Sequence, residues 1–138
     1  HQLNSQQISV ADALTRSGDV DLIVGHHAHV VQPIEKVNGV WVMYGMGNVL
    51  SNLPTDERWP ASSQDAGVFT ITLRRSTAGK VSFDTPVVHP TWVDKQNGWI
   101  IRDITKLFAN SNTSGVNTRE LELSLGRTTR VLGEFIVR

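Results

Sequence analysis

The order of apolar and polar positions changes from a helical to an extended pattern near the start of the chain. Apolar positions at near-helical spacing predict a helix over 4–17, which Asn4 or Ser5 can cap and Gly18 can end. A continuous apolar run, Leu22–Val24, then predicts a short strand buried on both faces. A helix that leads into a buried strand is an α/β step. The helical positions are Leu3, Ile8, Ala11 and Leu14.

Extended patterns predict three pairs of strands further along the chain. Segments 30–37 and 40–44 flank Asn38 and Gly39, the dipeptide that most strongly indicates a type I′ hairpin turn. Two further pairs of segments are joined by short turns and predict antiparallel pairing, the first of them with one buried face. These pairs are 67–75 with 80–89, and 90–94 with 98–103.

The remaining segments predict two helices and two loops. Residues 104–109 are typical of a single helical turn, and 118–135 carry an apolar stripe that predicts a longer helix. The polar segments 51–65 and 110–117 lack any period and are interpreted as surface loops, the first of them mobile. Together these elements predict a mixed α/β (α+β) fold. The stripe consists of Leu121, Leu125, Thr128, Leu132 and Phe135.

The amino-acid composition mainly excludes certain kinds of partner and of metal site. The 138 residues are enough for one domain or part of one, and 39% of them are hydrophobic, so a core can form. The chain has 13 basic and 13 acidic residues, and this neutral balance gives no support for a nucleic-acid partner. The absence of cysteine excludes disulfides and thiolate metal sites. No apolar run approaches the ~18 residues of a membrane span.

Candidate chemistry is concentrated in three histidines that follow Gly25 at the end of the first strand. In an extended segment, His27 and His29 point to the same side and His26 points to the other, unless the loop twists. Two imidazoles on one side of a strand end suit a transition-metal site. The competing interpretation is a polar loop in which one histidine packs on the core. One loop supplies at most two or three ligands, whereas a catalytic metal needs at least three from the protein and a two-metal site needs more.

Three polar or aromatic residues have open roles near this loop. Asn48 ends a turn with two glycines and fits equally well a rim of the histidine site or a plain exit from the strand. Gln32 is expected to face the histidine loop. Trp59 can contact a ligand or cap the edge of the core, and the sequence favours the second.

The segment 18–52 (GDVDLIVGHHAHVVQPIEKVNGVWVMYGMGNVLSN) resembles the C-terminal signature of the CapA, or poly-γ-glutamate capsule synthesis, family of the calcineurin-like metallophosphoesterase superfamily. The likeness runs nearly throughout the segment, with Ala28 where proline is common in the family. Residues 90–94 and the final helix also resemble members of this family. The motif is long, so it carries much more weight than a bare pair of histidines.

The resemblance implies the C-terminal portion of a four-layer α/β/β/α sandwich of the metallophosphoesterase type. It implies a two-metal centre for Mn, Fe or Zn, with His27 and His29 as metal ligands and with His26 and Asn48 as catalytic residues that neutralise developing charge. The family's earlier ligand motifs are not in this sequence. Residues 1–138 are therefore expected to be the C-terminal part of a single domain whose N-terminal half is missing.

Two functions follow from the resemblance. The first is a CapA-like protein of capsule polymer synthesis, which in its full length would be a metal-dependent phosphoesterase-like hydrolase. The second is a non-catalytic metal-binding or assembly module of a cell-surface polymer system. The expected partners are an anionic polymer or phosphate-like substrate and other capsule-synthesis proteins. The implied location is the envelope or outer side of a bacterial cell.

Overall fold

The computed structural model describes residues 1–111 and 113–137 and shows a mixed α+β fold. Within these residues the helices are α1 (Ser5–Arg16), α2 (Ile104–Ala109) and α3 (Thr118–Leu132), with 3₁₀ turns at Ala61–Gln64 and Gly133–Phe135. The strands are β1 (Leu22–Val24), β2 (Ile34–Val37), β3 (Val40–Met43), β4 (Asp65–Thr70), β5 (Leu73–Arg75), β6 (Val81–Phe83), β7 (Val87–Asp94) and β8 (Ile100–Asp103).

The first sheet has the strand order β1-β3-β2. Strand β1 runs parallel to β3, and β2 pairs with β3 as an antiparallel hairpin in which Val37 lies opposite Val40. Asn38 and Gly39 connect them with φ angles of 49° and 86°. Positive φ at both central residues is the requirement of a type I′ turn, so the predicted hairpin is confirmed.

The second sheet is antiparallel with the order β4-β7-β8, and β5 and β6 form a separate two-stranded ladder. The predicted hairpin over 67–89 is confirmed, although its ladder is divided between β4–β7 and β5–β6. The predicted pair after it is also confirmed as β7–β8. Strand β7 continues through Pro90 because β8 reaches only as far as Thr91, which leaves Pro90 with a partner strand on one side only.

The first sheet buries both of its faces. On one face, Val42 and Tyr44 pack with Ala11 of α1. On the other face, Met43 belongs to the main core together with Val88 of β7. Alternate residues of β3 therefore face different partners, as the two-residue period of a strand requires. The buried members of the main core are Val31, Ile34, Met43, Val88 and Leu132.

The surface of α1 and β1 differs from the prediction. Strand β1 is at the edge of its sheet, and 52% of Val24 is exposed, so the expectation of a strand buried on both faces is wrong. Helix α1 faces the sheet with Ala11 and Thr15, whereas Ile8 and Leu14 remain exposed. The helix thus contacts the sheet through small side chains, and the longer apolar side chains lie away from that contact.

Candidate functional site

The histidine loop begins where β1 ends, and the packing there requires glycine. The N–H of Gly25 donates to the carbonyl oxygen of Met43 at 2.7 Å, and a Cβ at this position would overlap the carbonyl oxygen of Tyr44. Beyond this point the loop twists, with positive φ angles of 84° at His27 and 58° at His29. Their exposed rings lie side by side, with centroids 6.3 Å apart.

His26 lies apart from this pair. Its Nδ1 accepts the backbone N–H of His27 at 2.9 Å, which places the ring proton of a neutral His26 on Nε2. The ring lines a cleft of about 170 Å³ between α1 and the first sheet. The catalytic role predicted for His26 is not tested by this placement and stays a prediction. The cleft is lined by Gln7, Val10, Ala11, Ile23, Gly25, His26, Val42 and Tyr44.

Asn48 fixes the orientation of the His29 ring. Its side-chain Nδ2 donates to the carbonyl oxygens of His29 at 3.1 Å and Ser63 at 2.9 Å. Because both amide hydrogens are used in this way, it is Oδ1 that lies 2.8 Å from Nδ1 of His29. In the neutral ring of His29, Nδ1 therefore carries the hydrogen and Nε2 keeps its lone pair. A histidine held in this way by an outer hydrogen bond is typical of metal sites.

The turn that carries Asn48 is fastened to the second sheet. Gly47 has a φ of 76°, and a Cβ there would overlap the carbonyl oxygen of Asp65 and approach the Cα of Ala66 to 2.8 Å. The N–H of Asn48 donates to the carbonyl oxygen of Asp65 at 3.2 Å. The structure shows features of both interpretations of Asn48: its Nδ2 binds backbone carbonyl oxygens, and its Oδ1 contacts the ring of His29.

Behind this turn, Asp65 forms a buried ion pair with Arg127 of α3. The carboxylate, with no exposed surface, accepts hydrogen bonds from Arg127 Nε at 2.6 Å, Arg127 Nη2 at 2.8 Å and Ser124 Oγ at 2.7 Å. Burial raises the pKa of the Asp65 carboxyl, and the hydrogen bonds from Arg127 and Ser124 oppose this only in part. The hydrogen bond to Asp65 in turn raises the pKa of Arg127.

Two expectations about neighbouring residues are corrected. Gln32 does not face the histidine loop: its buried side chain donates to the carbonyl oxygen of Gln2 at 3.2 Å and accepts from Gln7 Nε2 at 2.8 Å. It therefore holds the start of α1 against the sheet. Trp59 packs edge-on against His29, with ring centroids 6.4 Å apart, rather than on the core. The segment 51–65 is also less exposed than predicted, because Ser63, Gln64 and Asp65 are buried.

The donor set accounts for part of a metal site. Among residues 1–111 and 113–137, no group of three or more histidine, aspartate or glutamate side chains could hold a metal ion together. The oriented His29 and the adjacent His27 have the chemistry of two ligands, and a catalytic metal needs at least one more from the protein.

None of the helices in the described part of the chain has the length and apolar character that a membrane span requires.

The role of Asn48 can be tested on the ring of His29. In the native protein we expect His29 to be the Nδ1–H tautomer, because Asn48 Oδ1 accepts that hydrogen. Replacing Asn48 with leucine removes the acceptor, so this tautomer should no longer be favoured in long-range ¹H–¹⁵N NMR spectra. Asn52→Leu, at an exposed position in the same stretch, is the control and should leave the His29 spectrum unchanged.

Comparison with known proteins gives one family match and one curated relative. Residues 1–53 match the family described as bacterial capsule synthesis protein PGA_cap. The PGA biosynthesis protein CapA of Bacillus subtilis (strain 168) is 32% identical over an alignment of 109 residues, which covers 75% of this chain and 27% of that protein. The chain thus spans about a quarter of the length of the curated relative it matches. No solved structure matches the chain significantly.

Proposed function

Because this chain belongs to the PGA_cap family of bacterial capsule synthesis proteins, we propose that it acts in the synthesis of a capsule polymer, as a CapA-like protein with a metal-binding histidine site. One observation carries the proposal: the family match over residues 1–53 includes the histidine loop together with β1, the hairpin and Asn48. The proposed partners are an anionic polymer or phosphate-like substrate and other capsule-synthesis proteins, at the bacterial cell envelope.

In this proposal, His27 and His29 each supply a metal ligand. The hydrogen bond from His29 Nδ1 to Asn48 supports this role, because it leaves Nε2 free to bind a divalent ion such as Mn²⁺, Fe²⁺ or Zn²⁺. Two such ions, when bound, would supply an activated water and a clamp for a phosphate-like group. Asn48 would act by holding His29, and His26 would neutralise charge from the far side of the loop.

The architecture proposed for the full-length protein is the four-layer α/β/β/α sandwich of metallophosphoesterases. Support comes from the contacts of α1 with one face of the first sheet and of the main core with the other. Helix α3 in turn contacts β4 through Asp65, Ser124 and Arg127. We propose that the remaining metal ligands belong to a preceding part of the same domain, since a two-metal site needs more ligands than His27 and His29.

The second candidate function is a metal-binding or assembly module without hydrolysis. One specific observation favours it: the rings of His27 and His29 lie side by side, and two adjacent imidazoles can bind a transition metal without a catalytic centre. Such a module would bind a metal through His27 and His29 and use the site to organise an anionic polymer or a partner protein.

His27→Ala separates the two functions when it is made in the native protein. We expect Mn²⁺-dependent hydrolysis of a phosphomonoester to fall by more than the roughly 10–100-fold that follows loss of a hydrogen-bond partner of a ligand. Metal affinity, measured by calorimetry, should fall with it. His89→Ala, in β7, is the matched control and should change neither.

Metal binding without turnover in the native protein would support the module. An unchanged metal affinity in His27→Ala would contradict both functions.

A further inference from the structure

We propose that residues 56–59 are a recognition arm of the histidine site, in which Trp59 supports His29 and Arg58 binds an oxyanion group of the ligand. The inference deepens the proposed function and rests on it for the metal. It assigns a role to a segment that lies outside the residues of the family match, 1–53. The ligand chemistry is a phosphate or carboxylate group, as an anionic polymer or a phosphate-like substrate would present.

The arm is a closed turn whose shape does not depend on the histidines. Oδ1 of Asp56 accepts the backbone N–H groups of Arg58 and Trp59, both at 2.9 Å. The N–H of Asp56 donates to the carbonyl oxygen of Trp59 at 2.9 Å and closes the turn. An Asp side chain that binds the backbone in this way stabilises a local turn. The turn therefore fixes the backbone of Trp59 and the direction in which its side chain leaves that backbone.

That direction brings Trp59 against His29. The two rings meet at an interplanar angle of 85° with centroids 6.4 Å apart, an edge-to-face contact. Asn48 binds Nδ1 of the same imidazole. Trp59 and Asn48 thus hold the His29 ring by two different contacts, one to its face or edge and one to a nitrogen. Trp59 is on this basis a positioning residue for His29.

Arg58 brings a cation next to Trp59, the residue that contacts His29. Its guanidinium carbon lies 5.6 Å from the centroid of the Trp59 ring, an arrangement that holds the planar group by cation–π attraction. Within residues 1–111 and 113–137 its side chain forms no ion pair or hydrogen bond. The N–H donors of the guanidinium are consequently available, and their fork geometry matches the oxygens of a phosphate or carboxylate.

The two acidic neighbours of Arg58 form no ion pair with its side chain in the described part of the chain. Oδ1 of Asp56 is taken up by the backbone of the turn, and Glu57 is exposed without an ion pair among the described residues. A carboxylate on the ligand would compete with Asp56 and Glu57 for Arg58. A metal ion bound by His27 and His29 would attract the same carboxylate and so favour the ligand in this competition. Arg58 and the histidines are therefore expected to act on one oxyanion together.

The test measures two affinities in the native protein: that for Zn²⁺, and that for inorganic phosphate with Zn²⁺ bound. We expect Arg58→Gln to weaken phosphate binding about tenfold, the usual scale of a charge-assisted hydrogen bond, and to leave Zn²⁺ affinity unchanged. Arg75→Gln, an exposed arginine on β5, is the matched control and should alter neither affinity. Repeating the measurement with a soluble glutamate oligomer shows whether a phosphate or a carboxylate is the preferred group.

Trp59→Leu should weaken Zn²⁺ binding, and Trp59→Phe, which keeps an aromatic ring against His29, should restore most of it. A merely structural role of Trp59 would leave Zn²⁺ affinity unchanged in both variants. Phosphate and oligomer affinities in Arg58→Gln that equal those of the native protein would overturn the inference, as would an absence of binding to the native protein. If the native protein binds no Zn²⁺, the proposed function fails. The arm is then judged on the metal-free protein, in which Arg58→Gln must still weaken oxyanion binding.

Discussion

Replacing Arg127 with methionine is expected to lower the free energy of unfolding by about 3–5 kcal/mol near neutral pH. The substitution removes the guanidinium that donates two hydrogen bonds to Asp65. It leaves a carboxylate with no exposed surface and Ser124 as its remaining side-chain donor. A buried charge without its partner is strongly destabilising, whereas loss of an exposed pair has little effect.

The loss of stability in Arg127→Met should depend on pH with a definite sign. Burial already raises the pKa of Asp65 above its ordinary value of 3.8, and removal of Arg127 raises it further. Between the pKa values of the unfolded and folded states, the folded state binds the additional proton, so stability falls as pH rises through this window. The difference in stability between the variant and the native protein should therefore be smaller at about pH 5 than at about pH 7.5.

Denaturant unfolding of four proteins provides the measurement and its controls. Arg74→Met removes an exposed partner of Asp84 and should leave stability nearly unchanged. The double variant Asp65→Asn with Arg127→Met removes both charges and should recover more than half of the loss. A double variant no more stable than Arg127→Met would show that packing of the arginine side chain, and not the uncompensated charge, carries the effect.

Replacing Gly47 with alanine is expected to destabilise the fold by about 3 kcal/mol or more, and to displace the histidine site. The new Cβ would overlap the carbonyl oxygen of Asp65 and lie 2.8 Å from the Cα of Ala66. Both contacts are with backbone, which cannot rotate away as a side chain can. The strand contact between this turn and β4 must therefore open, and Asn48 moves away from His29 with it.

The effect of Gly47→Ala is distinguished from ordinary strain by Gly98→Ala. Gly98 has a φ of 83°, close to the 76° of Gly47, but an added Cβ there meets no atom within 4 Å. This control should therefore show only the left-handed backbone strain, about 1–2 kcal/mol. Thermal unfolding gives the stabilities, and the NMR signal of the His29 ring reports the site. Equal losses in the two variants would contradict a steric origin.

The local elements followed from the sequence because each was determined by neighbouring residues. Asn38 and Gly39 fixed the first hairpin by their tolerance of positive φ. The apolar stripe predicted for α3 was correct because Leu121, Thr128 and Leu132 are spaced for one helix face, and all three are buried. The stripe of α1 was wrong at Ile8 and Leu14 because spacing defines a face without saying what that face will contact.

The candidate site was predictable only where its residues are close in sequence. His27, His29 and Asn48 lie within one motif, which associated Asn48 with the histidine loop, and the structure brings the three side chains together. The pair of Asp65 and Arg127 joins residues 62 positions apart, and no local pattern marks a single aspartate as buried. Trp59 was interpreted as a cap of the core because its loop has no periodicity, and its contact with His29 depends on how that loop folds back.

The fastening of the Gly47 turn to β4 makes the histidine loop and the C-terminal helix one cooperative unit. The amide of Asn48 is bonded to the backbone of Asp65, and the side chain of Asp65 is bonded to α3. Detachment of α3 thus exposes the Asp65 charge and loosens the turn that orients His29. Opening of the histidine loop therefore releases α3, and opening of α3 releases the loop. A ligand that occupies the histidines protects amide hydrogens from exchange, and this protection should extend to α3.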